Sequence, residues 1–209
     1  MAAAGHRTPF VGRVTELADL RGALAAARAG AGSLVLVSGP AGIGKTRLVE
    51  EAVAPSVAEV GVRWGRSVDD PGAPPLWTWR AVLRAVPGIP EDLPAGPTGD
   101  PAADRFRFVA AATDALLRAA EPAGLVVVLE DLHWADDTSL RLLRHLAGEL
   151  GRSRLLVVGT HRDPAPPELA RMPAALVVPL RPLSEGDVRG YLAAVTAGPL
   201  PDHAVRRTS

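Results

Sequence analysis

Gly39-Pro40-Ala41-Gly42-Ile43-Gly44-Lys45-Thr46 fits the pattern G-x-x-x-x-G-K-[ST] at every fixed position. Its surroundings decide how it is read. Ahead of it, Ser33-Leu-Val-Leu-Val-Ser38 is a short apolar run with β-branched residues, the pattern of a buried strand. Behind it, Thr46-Arg-Leu-Val-Glu-Glu-Ala-Val carries helical spacing. Strand, glycine loop and helix in that order are the context in which such a loop cradles a polyphosphate. Gly39, Gly42 and Gly44 permit backbone conformations and a close approach that a Cβ would block. The loop amides and the helix N-terminus present positive partial charge to the anion. Lys45 is the only lysine in a chain whose other basic residues are all arginine. Its compact ammonium on a slim stem can enter a ring of N–H groups where a planar guanidinium cannot. Thr46 can offer its hydroxyl to a Mg²⁺ that bridges the phosphates.

A second acidic element follows another apolar run. Leu125-Val-Val-Val-Leu129 reads as a buried strand of a parallel sheet covered on both faces, and Glu130-Asp131 follows it directly. Carboxylates at the C-terminal edge of such a strand, beside a phosphate loop, are placed to hold a hydrated metal and its water. Glu130 suits the metal and Asp131 suits the attacking water. Hydrolysis through the shorter aspartate side chain is expected to be slow, because a general base must lie within hydrogen-bond reach. Gly159-Thr160-His161-Arg162 ends a further apolar run, so Thr160 or Arg162 is placed to contact a γ-phosphate.

The whole chain narrows the function classes. Its 209 residues suit one α/β domain, and 47% apolar content permits a substantial core. Formal net charge is zero with both signs interspersed, which leaves no electrostatic footprint for nucleic acid or anionic lipid. The absence of cysteine removes disulfides and thiolate chemistry. His6, His133, His145, His161 and His203 lack metal-ligand spacing and read as solvated or packed side chains. Neither a signal-peptide stretch nor a membrane-spanning run is visible, so a cytoplasmic location is expected.

Between these landmarks the pattern predicts a helix over 15–29 with Thr15 as its cap, a strand near 60–66 and a helix over 76–86. An irregular, proline-rich insertion is expected at 87–101, then a helix over 102–120. A helix starting near Asp136 or Asp137 should bury Leu140, Leu143, Leu146 and Leu150. Strands are expected at 155–158 and 176–180. Ser184-Glu-Gly-Asp187 reads as a capping box opening a last helix. Alternating strands and helices argue for a parallel, doubly wound sheet.

Four blocks in chain order carry a resemblance: Phe10-Val-Gly-Arg13 with Glu16-Leu17, Gly39 through Leu48, Leu129-Glu-Asp-Leu-His-Trp-Ala-Asp136, and Gly159-Thr-His-Arg-Asp163. Together they resemble the AAA+-like P-loop ATPase domain of the signal-transduction (STAND) class, most closely that of large LuxR-type transcriptional regulators of actinobacteria. The same module accompanies some adenylate cyclases. The resemblance covers Pro9 to Leu192. It implies an α/β core at 1–182 with a doubly wound, parallel, five-stranded sheet ordered 5-1-4-3-2, and only the beginning of a helical lid at 183–209. It implies a switch run by ATP or ADP with Mg²⁺. Val11, Gly12 and Arg13 would lie against the adenine through backbone groups, and Gly39, Pro40, Ala41, Gly42, Ile43, Gly44, Lys45 and Thr46 would take the phosphates. Thr46 and Glu130 would hold the metal. Lys45, Glu130, Asp131 and Arg162 would carry the chemistry, with Arg162 as sensor.

The Glu-Asp pair departs from the Asp-Asp or Asp-Glu more usual in that family. The family continues into winged-helix and repeat domains and, in regulators, a DNA-binding helix-turn-helix. This chain is therefore expected to be a truncated product or a stand-alone remnant that binds nucleotide, works through self-association or through missing C-terminal regulatory domains, and touches neither nucleic acid nor membrane itself. A binding module without turnover and a small-molecule kinase are the competing readings. The lack of any asparagine argues against a guanine-reading Asn-Lys-x-Asp element, in favour of ATP.

Overall fold

The computed structural model describes residues 9–89, 93, 99–173 and 175–196. Its strands are β1 (Ser33–Ser38), β2 (Gly61–Arg66), β3 (Leu125–Glu130), β4 (Leu155–His161) and β5 (Ala175–Pro179). They form one sheet in the order β2-β3-β4-β1-β5, all neighbours parallel. This is the expected order read from the opposite edge. The helices are α1 (Val14–Arg28), α2 (Lys45–Val53), α3 (Trp77–Ala85), α4 (Pro101–Ala120), α5 (Asp137–Glu149), the short α6 (Pro167–Ala170) and α7 (Glu185–Thr196).

Strand periodicity of two explains why the central strands are apolar throughout. Leu34, Leu36, Leu125, Val127, Leu129, Leu155 and Val157 point to one face, where Trp79, Val82, Leu116, Leu142, Leu143 and Leu146 of α3, α4 and α5 cover them. Val35, Val37, Val126, Val128, Leu156 and Val158 point to the other, beneath Leu20, Leu24, Leu48, Val49 and Ala52 of α1 and α2. Each fully buried Leu or Val contributes about 1.5–3 kcal/mol over an exposed one, so both faces weigh heavily in the fold.

Two local expectations need correction. Thr15 lies inside α1; the cap position is Arg13, in the left-handed region, and no side chain caps the helix. Pro101 opens α4 rather than closing the insertion, since a proline tolerates the first helical turn and Asp100 caps from behind by accepting the Ala102 N–H at 2.8 Å. Most of the expected irregular stretch, 90–92 and 94–98, lies outside the described residues. At α5 the cap is Asp136, which accepts from the Thr138 and Ser139 N–H groups.

Candidate active site

The glycine loop sits between the C-terminal end of β1 and the first turn of α2. Gly39, Gly42 and Gly44 have φ of 146°, 74° and 100°, in the region where a side chain is strained. At Gly39 a Cβ would also come within 2.9 Å of the Leu180 carbonyl oxygen. Lys45 is 8% exposed, and its ammonium donates to the Gly39 and Pro40 carbonyls at 2.8 and 2.9 Å. Burial pulls its pKa below the usual lysine range, Asp131 and Asp163 oppose that pull, and Arg162 adds to it.

The acid pair stands two strands away, with β4 between. The Thr46 hydroxyl donates a hydrogen bond to Glu130 Oε1. Asp131 follows β3 directly in the left-handed conformation, φ 57°. Its N–H donates to Thr160 Oγ1 at 3.1 Å, which ties the acid turn to the end of β4. Its carboxylate is engaged as well: Arg66 Nε and Nη2 both donate to Oδ2, at 3.1 and 3.0 Å. Sequence reasoning missed Arg66. The signal lies in strand register, which sets Arg66 opposite Glu130 across the β2–β3 pair.

Arg162 is exposed at the tip of β4, and its charge is felt at both Lys45 and His133. His133 is packed, as read. Both its ring nitrogens are buried with no partner among the described residues, and burial lowers its pKa against the pull of Asp131.

The N-terminal segment closes another side. Phe10 packs on the α1–α2 core, with the Arg47 guanidinium 5.9 Å from its ring centroid. Gly12 and Arg13 form a left-handed turn after Val11, with φ of 66° and 59°. A cavity of about 390 Å³ lies between this turn and the Pro179–Asp187 stretch leading into α7. There the expected capping box is present: Ser184 Oγ donates to Asp187 Oδ2 at 2.6 Å, and Asp187 N–H donates back to Ser184 Oγ at 3.1 Å.

These residues suit a polyphosphate and a hard cation. A buried ammonium and positive-φ glycines at the start of α2 match an anion. The convergent oxygens of Thr46 and Glu130 match Mg²⁺, which usually takes one or two protein ligands and completes its shell with water and phosphate. Among the described residues no group of three or more acidic, His or Cys side chains could hold a metal by itself.

A family model described as AAA ATPase domain matches residues 9–158. Among solved structures, the ORC1 protein of Aeropyrum pernix in complex with DNA is 19% identical, with 93% of this chain and 52% of that chain covered and a TM-score of 0.58. Cdc6p from Pyrobaculum aerophilum is 19% identical over 96% of this chain and 53% of that one, TM-score 0.57. A STAND protein with a tetratricopeptide repeat sensor from Pyrococcus horikoshii is 18% identical over 95% and 27%, TM-score 0.56. At these identities the likeness shows the fold alone. The chain spans about half the length of the first two and about a quarter of the third. No curated protein matches it.

Proposed function

Because the chain belongs to the AAA ATPase domain family, we propose that it is the nucleotide module of a regulatory ATPase of LuxR-type, signal-transduction character, which binds ATP or ADP with Mg²⁺ and turns ATP over slowly. The observation that carries this reading is the buried Lys45 ammonium inside the glycine loop, with the Thr46–Glu130 contact at its mouth.

On binding, Lys45 would exchange the Gly39 and Pro40 carbonyls for β- and γ-phosphate oxygens, while the loop N–H groups take the remaining phosphate charge. Thr46 and Glu130 would hold Mg²⁺, which supplies neutralisation of that charge when bound. Water adds to the γ-phosphorus, the bond to the β-phosphate oxygen breaks, and Asp131 accepts the water's proton, leaving ADP and phosphate. Arg162 or Thr160 reports the γ-phosphate. Val11, Gly12 and Arg13 take the adenine side, and the segment from 183 begins the lid. The module acts in the cytoplasm, through self-association or through regulatory domains, and does not itself bind nucleic acid.

The Arg66–Asp131 pair favours a second reading, in which nucleotide is held without turnover because the would-be base is occupied. Titration with labelled ATP, ADP and GTP, with and without Mg²⁺, tests binding on the native chain and on Lys45→Ala. We expect micromolar affinity for adenine nucleotides at best, about −8 kcal/mol, lost in the variant. Identical titrations for the two proteins would overturn the proposal. Phosphate release that disappears in Asp131→Ala separates the slow enzyme from the binding module.

A further inference from the structure

Arg13 holds a left-handed backbone without being glycine, a conformation that persists only where its surroundings impose it. Two side-chain contacts accompany it. The side chain is only 9% exposed, and Nη1 reaches Glu16 Oε1 at 3.2 Å. Nη2 donates to the Ile43 carbonyl at 3.5 Å, thirty residues away in the glycine loop. From behind, Gly12 lies so close to α7 that a Cβ there would be 2.8 Å from Asp187 Cγ. The turn is wedged between the phosphate loop and the cap of the last helix.

Ile43 stands between Gly42 and Gly44, both at positive φ, where the backbone itself imposes the least preference. A trans peptide is planar, so its carbonyl and N–H point in opposite directions. Tethering the Ile43 carbonyl to Arg13 therefore turns the Gly44 N–H away from the N-terminal segment. On the other side of that residue, the Gly44 carbonyl accepts the Leu48 N–H at 2.9 Å and is held by α2.

We propose that Arg13 is a positioning residue for the phosphate loop: braced by Glu16, its guanidinium pins the Ile43–Gly44 peptide so that the Gly44 N–H is oriented for a phosphate oxygen. This rests on the nucleotide reading above. It differs from the backbone contact to adenine expected for Arg13, because it predicts a defect in phosphate recognition whatever the base.

Competition against labelled ATP, with unlabelled ATP and with inorganic tripolyphosphate, separates the two roles in the full chain. Measurements are made at a temperature where every protein is fully folded, so that lowered stability alone leaves affinity unchanged. Arg13→Ala should weaken ATP and tripolyphosphate by the same factor, roughly two- to fivefold for the loss of a long hydrogen bond that acts through the loop peptide. Arg13→Lys should recover part of the loss, since an ammonium reaches one acceptor but cannot fork between two. If Arg13→Ala does not fold, Glu16→Gln should give the same paired loss at smaller size. Weakened ATP with unchanged tripolyphosphate would assign Arg13 to the base and overturn the proposal. So would wild-type affinity in Arg13→Ala while Lys45→Ala still abolishes binding, an outcome that leaves the nucleotide reading intact. A native chain that binds no ATP would remove both.

Discussion

Replacing Arg66 with alanine should make this protein a faster ATPase. Arg66 donates twice to one oxygen of Asp131, at 3.1 and 3.0 Å, leaving the proposed general base paired instead of free to accept a proton. The arginine side chain is 68% exposed and that of Asp131 25%, so solvent screens the pair strongly. Ion pairs of this exposure stabilise by roughly 0.2–1 kcal/mol, and the doubled donor places this one in the upper half of that range. Releasing the carboxylate then raises the fraction of competent molecules by about two- to fivefold. Phosphate release at saturating ATP and Mg²⁺ should rise by that factor in Arg66→Ala, while unfolding stability falls by less than about 1 kcal/mol. Because screening weakens exposed pairs, high salt should narrow the gap between wild type and variant. The gain must vanish when Asp131→Ala is added. Unchanged or slower turnover in Arg66→Ala, or a gain that survives loss of Asp131, would refute the reasoning.

Other expectations follow from contacts further out. Asp136 caps α5 through two N–H groups, accepts from Ser139 Oγ at 2.6 Å, and also receives the Leu76 N–H at 3.0 Å. Asp136→Ala should cost about 2 kcal/mol in urea unfolding, and a loss below about 0.5 kcal/mol would show that these four bonds contribute little to the fold. Trp79 is fully buried, and its indole N–H donates to the Ser139 carbonyl at 3.0 Å. Trp79→Phe combines that lost bond with a cavity and should destabilise by roughly 2–3 kcal/mol, with nucleotide affinity unchanged once folded. Lys45 gives a pH signature. Burial depresses its pKa in the folded state, so between that lowered value and 10.5 the unfolded chain binds the extra proton and stability rises with pH. Wild type should therefore gain stability relative to Lys45→Met as pH is raised through this window. Tyr191 and the arginines are common to both proteins and cancel in the comparison. A flat or falling difference would show that the ammonium is not desolvated.

Much of the architecture was legible because it rests on short-range chemistry. The apolar runs at β1, β3 and β4 announce strands buried on both faces, and the structure places helices over both. The Ser184–Asp187 capping box is likewise local, a reciprocal bond between residues three apart. Thr15 resembles a cap because it carries a hydroxyl near a helix start, whereas α1 begins at the Gly12–Arg13 turn. Strand β4 runs three residues past the expected 155–158, since Gly159, Thr160 and His161 pair with Leu36, Val37 and Ser38 of β1. Those polar residues lack an apolar pattern and are recruited by the neighbouring strand's backbone.

Alone, the chain of residues determined the phosphate-loop pattern, the strand–loop–helix context and the acidic pair, since each is carried by neighbours in sequence and by side-chain chemistry. Tertiary structure decided which distant groups meet: Arg66 on Asp131, Thr46 on Glu130, Arg13 on the Ile43 carbonyl. The reason is physical. A pattern of apolar residues specifies which face an element buries, whereas the partner of an exposed polar atom depends on strand register and loop path, and these are set only when the whole sheet has closed.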